Sequence, residues 1–208
     1  MVRIKICGIT NLEDARTALE AGADALGFNF YWRSPRYITP QNARLIIKEL
    51  PSSLLTVGVF VNEDGPGTAA RIAAEAGVTA VQLHGDESPA YCHALAHYSV
   101  IKALRVGERF KVEDAIDYQT DAILLDTFSP HAHGGTGRRF DWSLARQTRD
   151  AVSKLYLAGG LTPENVAEAI AAVQPFAVDV CSGVESAPGR KDAARLCAFV
   201  EAARGCAK

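Results

Sequence analysis

Two residues in this chain are placed to exchange a proton with one small molecule. Cys7 closes the first apolar run, Lys5-Ile6-Cys7-Gly8-Ile9-Thr10-Asn11, and Asp126 closes a later one, Ala122-Ile123-Leu124-Leu125-Asp126. A thiolate can take a proton, and a carboxyl group can give one if its surroundings hold it protonated. Both need help from the site. A free thiol with a pKa of about 8.5 is only a few per cent ionised at neutral pH, and an aspartic acid near 3.9 is almost fully ionised. A helix starting near Asn11, or a cation such as Arg36, would lower the first value. An apolar pocket or a neighbouring anion would raise the second. The competing explanation for Cys7 is packing, because cysteine often fills strands as a small hydrophobe. For Asp126 it is a structural carboxylate that accepts loop N–H groups.

Other residues could hold a ligand around such a pair. Ala158-Gly159-Gly160-Leu161 and Cys181-Ser182-Gly183-Val184 end two consecutive apolar runs. Small residues there let backbone N–H groups approach an anion, and a short extra helix begun near Ser182 would point its N-terminus at a phosphate. Arg36, in Ser34-Pro35-Arg36-Tyr37, could grip a carboxylate bidentately. His84, in Gln82-Leu83-His84-Gly85, could position substrate or donate a hydrogen bond. Gly134-Gly135-Thr136-Gly137 lies in a long loop after Asp126 that could close over a ligand, with Gly135 and Gly137 as its contacts. It has neither a Walker ending nor a dinucleotide fingerprint. His131 and His133 lack a third ligand at helical spacing, so no metal is expected.

What must position these residues is a repeated strand-and-helix unit. Apolar runs begin near Val2, Asp24, Leu54, Thr79, Val100, Ala122, Leu155 and Ala177. Several, such as Thr56-Val57-Gly58-Val59-Phe60-Val61, show no alternation, as expected of strands buried on both faces of a parallel sheet. Between them lie helical patterns with readable starts. Thr39-Pro40 precedes Ala43, Ile46, Ile47 and Leu50; Ser88-Pro89 precedes Tyr91 and Leu95; Thr162-Pro163 precedes Val166, Ala169, Ile170 and Val173. A short charged helix is expected near Lys111 to Ile116, and Leu196, Phe199, Val200 and Ala203 mark the last one. Eight such units predict an α/β chain, one (β/α)8 TIM barrel over residues 1–208, rather than an open doubly wound sheet. In that architecture the chemistry collects where the strands end, and all the residues above fall there.

Composition agrees with a small-molecule role. The chain has 208 residues, 48% apolar, with a net charge of −2. That balance offers no field to gather nucleic acid or an anionic membrane. With no leader-like start and no long apolar run, the cytoplasm is the expected location. Five cysteines without a C-x-x-C pair suit a reducing compartment. Scattered helix charge favours a monomer.

Taken in order, these segments resemble a known family. Lys5-Ile6-Cys7-Gly8-Ile9-Thr10, Gly27-Phe28-Asn29-Phe30 with Ser34-Pro35-Arg36, Gly58-Val59-Phe60-Val61, Gln82-Leu83-His84-Gly85, Leu124-Leu125-Asp126, Gly134-Gly135-Thr136-Gly137, Leu157-Ala158-Gly159-Gly160-Leu161 and Asp179-Val180-Cys181-Ser182-Gly183-Val184-Glu185 are similar to the phosphoribosylanthranilate isomerases of tryptophan biosynthesis. The resemblance implies a cofactor-free Amadori rearrangement of N-(5-phosphoribosyl)anthranilate to 1-(2-carboxyphenylamino)-1-deoxyribulose 5-phosphate. It makes Asp126 the general acid and Cys7 the general base. It also places the substrate carboxylate near Arg36 and the phosphate at Gly159, Gly160, Ser182 and Gly183. One departure is Cys181, where serine is also common; it is expected to touch neither proton carrier. Two rivals stand beside this reading: a bifunctional isomerase serving histidine and tryptophan synthesis, and a non-catalytic phosphosugar-binding or thiol-sensing barrel. Cys7 in place of a first-strand aspartate, and the lack of a second glycine pair after the third strand, weigh against the bifunctional type.

Overall fold

The computed structural model describes residues 1–107, 110–126 and 142–205. Gly135, Gly137, His131 and His133 lie outside the described residues. Eight strands, β1 (Arg3–Ile6), β2 (Ala25–Asn29), β3 (Leu55–Phe60), β4 (Ala80–Leu83), β5 (Ser99–Arg105), β6 (Ala122–Asp126), β7 (Leu155–Ala158) and β8 (Ala177–Val180), pair in sequence order, all parallel. The barrel closes by pairing of β8 with β1, in the register Lys5 with Asp179 and Ile6 with Val180. This is the expected (β/α)8 architecture.

Helices follow the strands: α1 (Leu12–Ala21), α2 (Pro40–Ile47), α3 (Pro66–Ala76), α4 (Pro89–His93), α5 (Val112–Ile116), α6 (Trp142–Ala151), α7 (Val166–Val173) and α8 (Ala193–Gly205). Local chemistry starts and stops them. The side chains of Asn11, Thr39 and Ser88 accept the N–H groups of Asp14, Asn42 and Tyr91, satisfying donors that the first helical turn leaves unpaired. The Thr162-Pro163 start is a correction: α7 begins only at Val166. The Asn165 side chain accepts from Thr162 N (2.8 Å) and donates to Gly160 O (2.9 Å), so these residues form a turn ahead of the helix.

Alternation along the strands sorts side chains into two layers. One cluster, including Ile4, Ile6, Leu26, Phe28, Leu83, Leu125, Leu157, Phe199 and Val200, fills the space between sheet and helices. A smaller cluster, including Val57, Ala80, Ile101, Ala122, Leu124, Tyr156 and Ala177, fills the barrel interior. By the same period of two, Leu124 inside the barrel puts Asp126 inside, and Ala80 does so for Gln82 and His84. After β8 come a 3₁₀ turn (Ser182–Val184) and a small antiparallel hairpin, β9 (Glu185–Ala187) with β10 (Arg190–Lys191). This extra hairpin packs back onto the site.

Candidate active site

Cys7 lies just past the end of β1, its N–H bonded to Val180 O (2.9 Å). Asp126 is the last residue of β6. Both line one cleft of about 310 Å³ at the C-terminal end of the barrel. Every other described site residue expected from the sequence lines it too: Arg36, His84, Gly159, Gly160, Ser182 and Gly183. Gln82, Asp179 and Cys181, to which the sequence pattern assigns no role, share the wall.

The surroundings of Cys7 favour its thiolate. The Cys181 thiol, acting as a donor to the Cys7 sulfur, lowers the pKa most; burial opposes ionisation, and the ammonium groups of Lys5 and Lys191 lower the pKa further, so that it is held well below the ordinary thiol value. Cys181 moves the other way. Its interaction with the Cys7 sulfur, then burial and the charge on Cys7, push its pKa up, so it keeps its proton. Cys181 therefore does touch a proposed proton carrier. The closure of the barrel explains the correction: Ile6 pairs with Val180, so the next residue on each strand meets its counterpart on the inner face.

The same register one step back pairs Lys5 with Asp179. Their Nζ and Oδ1 atoms are 2.9 Å apart, and both side chains are buried. Burial raises the Asp179 pKa, the Lys5 charge offsets only part of this, and the value reaches about 7. Burial alone would lower the Lys5 pKa, but Asp179 and Cys7 reverse that and hold it above the usual lysine value. A protonated lysine thus stands two residues before the thiolate on the same face.

Arg36 reaches the cleft already engaged. Its Nε and Nη2 donate to both carboxylate oxygens of Glu185, at 2.9 Å to Oε1 and 2.6 Å to Oε2. Burial disfavours the Glu185 anion, but Arg36 and Lys191 keep its pKa below the usual carboxylate value. The buried Lys191 amine also donates to Glu185 Oε1 (3.0 Å), Cys7 O (2.6 Å) and Cys181 O (3.3 Å). One ion cluster therefore ties the ends of β1 and β8 together. Nη1 of Arg36 makes no hydrogen bond among the described residues and is open to a ligand.

Opposite, Asp126 Oδ2 lies 3.4 Å from His84 Nε2, and both side chains are a quarter exposed. Gly159 and Gly160 take φ of 93° and 65°, a left-handed conformation that side chains resist. Gly183 faces the carbonyl of Leu161, where any side chain would collide. The β7 and β8 loops thereby meet closely enough for their amides to converge on one anion. The 3₁₀ turn starting at Ser182 is the short extra helix expected there. Among the described residues no group of three metal-ligating side chains occurs, and no helix is long and apolar enough to cross a membrane.

Comparison with known proteins is decisive for the family. The family model described as N-(5'phosphoribosyl)anthranilate (PRA) isomerase matches residues 4–202. The chain belongs to the phosphoribosylanthranilate isomerase family. It is 53% identical over 205 residues to the N-(5'-phosphoribosyl)anthranilate isomerase of Geobacter sulfurreducens, covering 99% of this chain and all of that one. The crystal structure of the Thermotoga maritima isomerase superposes with a TM-score of 0.91 at 51% identity, over 99% of this chain and 100% of that one. Another crystal structure of a phosphoribosyl anthranilate isomerase, in complex with reduced 1-(o-carboxyphenylamino)-1-deoxyribulose 5-phosphate, superposes at 0.89 with 49% identity over the same shares of the two chains.

The residues missed in sequence have an identifiable origin. Lys5 and Asp179 are each two positions before a rim cysteine, so the period of a strand, together with closure of β8 on β1, could have found them. Glu185 and Lys191 arrive through the hairpin after β8, which no periodicity announces.

Proposed function

We propose that this chain converts N-(5-phosphoribosyl)anthranilate into 1-(2-carboxyphenylamino)-1-deoxyribulose 5-phosphate, with Cys7 as general base and Asp126 as general acid. The observation that carries the reading is a thiolate-favouring cysteine and an aspartate lining one cleft beside paired glycine loops. The barrel over residues 1–208 is the catalytic unit.

In this mechanism Asp126 gives its proton to the furanose ring oxygen. The bond from that oxygen to the anomeric carbon breaks, and the nitrogen lone pair forms a Schiff base. The Cys7 thiolate then removes the proton from the adjacent sugar carbon, yielding an enolamine that tautomerises to the aminoketone. Proton transfers of this kind contribute roughly 10²–10⁴-fold each. Lys5 and Lys191 keep Cys7 anionic before the step and are left facing a neutral thiol after it. The phosphate sits against the amides of Gly159, Gly160, Ser182 and Gly183. The anthranilate carboxylate meets the Nη1 side of Arg36, whose other edge is fixed by Glu185.

The test is turnover of N-(5-phosphoribosyl)anthranilate, followed by fluorescence loss, for the wild type and for Cys7→Ser and Asp126→Asn. Rapid wild-type turnover with near-complete loss in both variants supports the assignment. Full activity in either variant removes that residue from its role.

A further inference from the structure

Gln82 on β4 is 1% exposed, yet its amide belongs to the cleft wall. Its Nε2 lies 3.1 Å from His84 Nδ1. Its Oε1 is buried with no hydrogen-bond partner. His84 in turn places Nε2 3.4 Å from Asp126 Oδ2. The three side chains form a line from the barrel interior to the proposed acid, and only the last member carries a role in the mechanism above.

We propose that Gln82 is a positioning residue that fixes the His84 tautomer, so that His84 Nε2–H faces the Asp126 carboxylate once it has given up its proton. The inference rests on the assignment of Asp126 as the acid. An imidazole nitrogen that accepts from an amide N–H must be bare, and a neutral ring then carries its one proton on the other nitrogen.

The amide orientation decides the matter, since exchanging Oε1 and Nε2 would demand a proton on Nδ1 instead. The neighbours of Gln82 in the sheet register are Val59 and Ile101, which offer its far end no acceptor side chain. Turning the amide over would leave two N–H donors at that far end, where the present orientation leaves a carbonyl oxygen there and a single spare N–H beside His84. Orphaned donors are the rarer defect in folded proteins. With Nε2 toward His84, the ring presents a donor to Asp126. That donor suits an acid during catalysis, because it forms a charge-assisted hydrogen bond with the carboxylate left behind.

The test reads the tautomer directly. Long-range proton–nitrogen correlation spectra of protein labelled with ¹⁵N-histidine, with His84→Asn to assign the signal, should show His84 protonated at Nε2 and bare at Nδ1. Gln82→Leu should turn this into a mixture, and Gln82→Glu should move the proton to Nδ1. Turnover in Gln82→Leu should fall about tenfold in kcat with KM within about twofold, well short of the loss on removing an acid. A wild-type His84 protonated at Nδ1 overturns the proposal, whether or not the variants fold. So does a folded Gln82→Leu that keeps both tautomer and kcat. Full activity in Asp126→Asn would sink the acid assignment alone, leaving the spectrum unaffected.

Discussion

Across the seam where β8 closes on β1 the Cys7 and Cys181 thiols shift each other's titration, Cys181 as donor lowering the pKa of Cys7 and having its own raised. The Cys181 thiol has another acceptor in reach, Glu185 Oε1 at 3.7 Å. That oxygen already accepts from Arg36, Lys191 and the Gly189 N–H, so the thiol proton does more for the thiolate.

Removing that donor should therefore raise the pKa of Cys7. A hydrogen bond to a charged group contributes about 1.5–3 kcal/mol, or roughly one to two pH units. In Cys181→Ala the acidic limb of the kcat/KM profile should move to higher pH, because Cys7 then gains its proton more readily. Cys181→Ser, which keeps a donor, should stay near the wild-type profile. An unmoved limb in the alanine variant would remove Cys181 from the tuning of Cys7.

Lys5 and Asp179 should behave as a unit. Lys5→Met leaves the Asp179 carboxyl buried without its partner, and breaking a buried pair costs about 3–5 kcal/mol; thermal denaturation should show a clear loss. Lys5→Met combined with Asp179→Leu should recover much of it, while Cys7, having lost one cation, titrates at higher pH.

The pH dependence of stability carries the sign of the Asp179 shift. Its folded pKa of about 7 lies above the ordinary aspartate value of 3.8, so between these values the native state binds more protons than the unfolded one. Its contribution is greatest below the lower value and is lost as pH rises toward the upper. Asp179→Asn should flatten that part of a denaturant-derived stability profile. An unchanged slope would place the titration elsewhere.

Glu185 joins Arg36 to Lys191, so Glu185→Ala leaves the buried ammonium of Lys191 without its only carboxylate among the described residues. Melting temperature should drop, and KM should rise as Arg36 loses its anchor. Glu185→Gln, still an acceptor, should lie between. An alanine variant with wild-type KM would detach the cluster from substrate binding.

The sequence by itself determined the architecture and the rim. Apolar runs spaced for crossover helices, Thr-Pro and Ser-Pro starts, and strand ends at Cys7, Asp126 and the glycine pairs depend on local periodicity and capping, which a linear chain displays. Tertiary structure decided what surrounds those residues. Whether Cys7 is packing or a base depends on Lys5, Lys191 and Cys181, and the last two lie more than 170 positions away. The helix α7 starts later than Thr162-Pro163 suggests, where the Asn165 side chain folds back onto Thr162 N and Gly160 O and holds these residues in a turn. The hairpin after β8, which no local pattern announces, sets Glu185 against Arg36. Electrostatics acts through space and grows as water is excluded. The protonation states of this site are therefore properties of the closed barrel rather than of any segment within it.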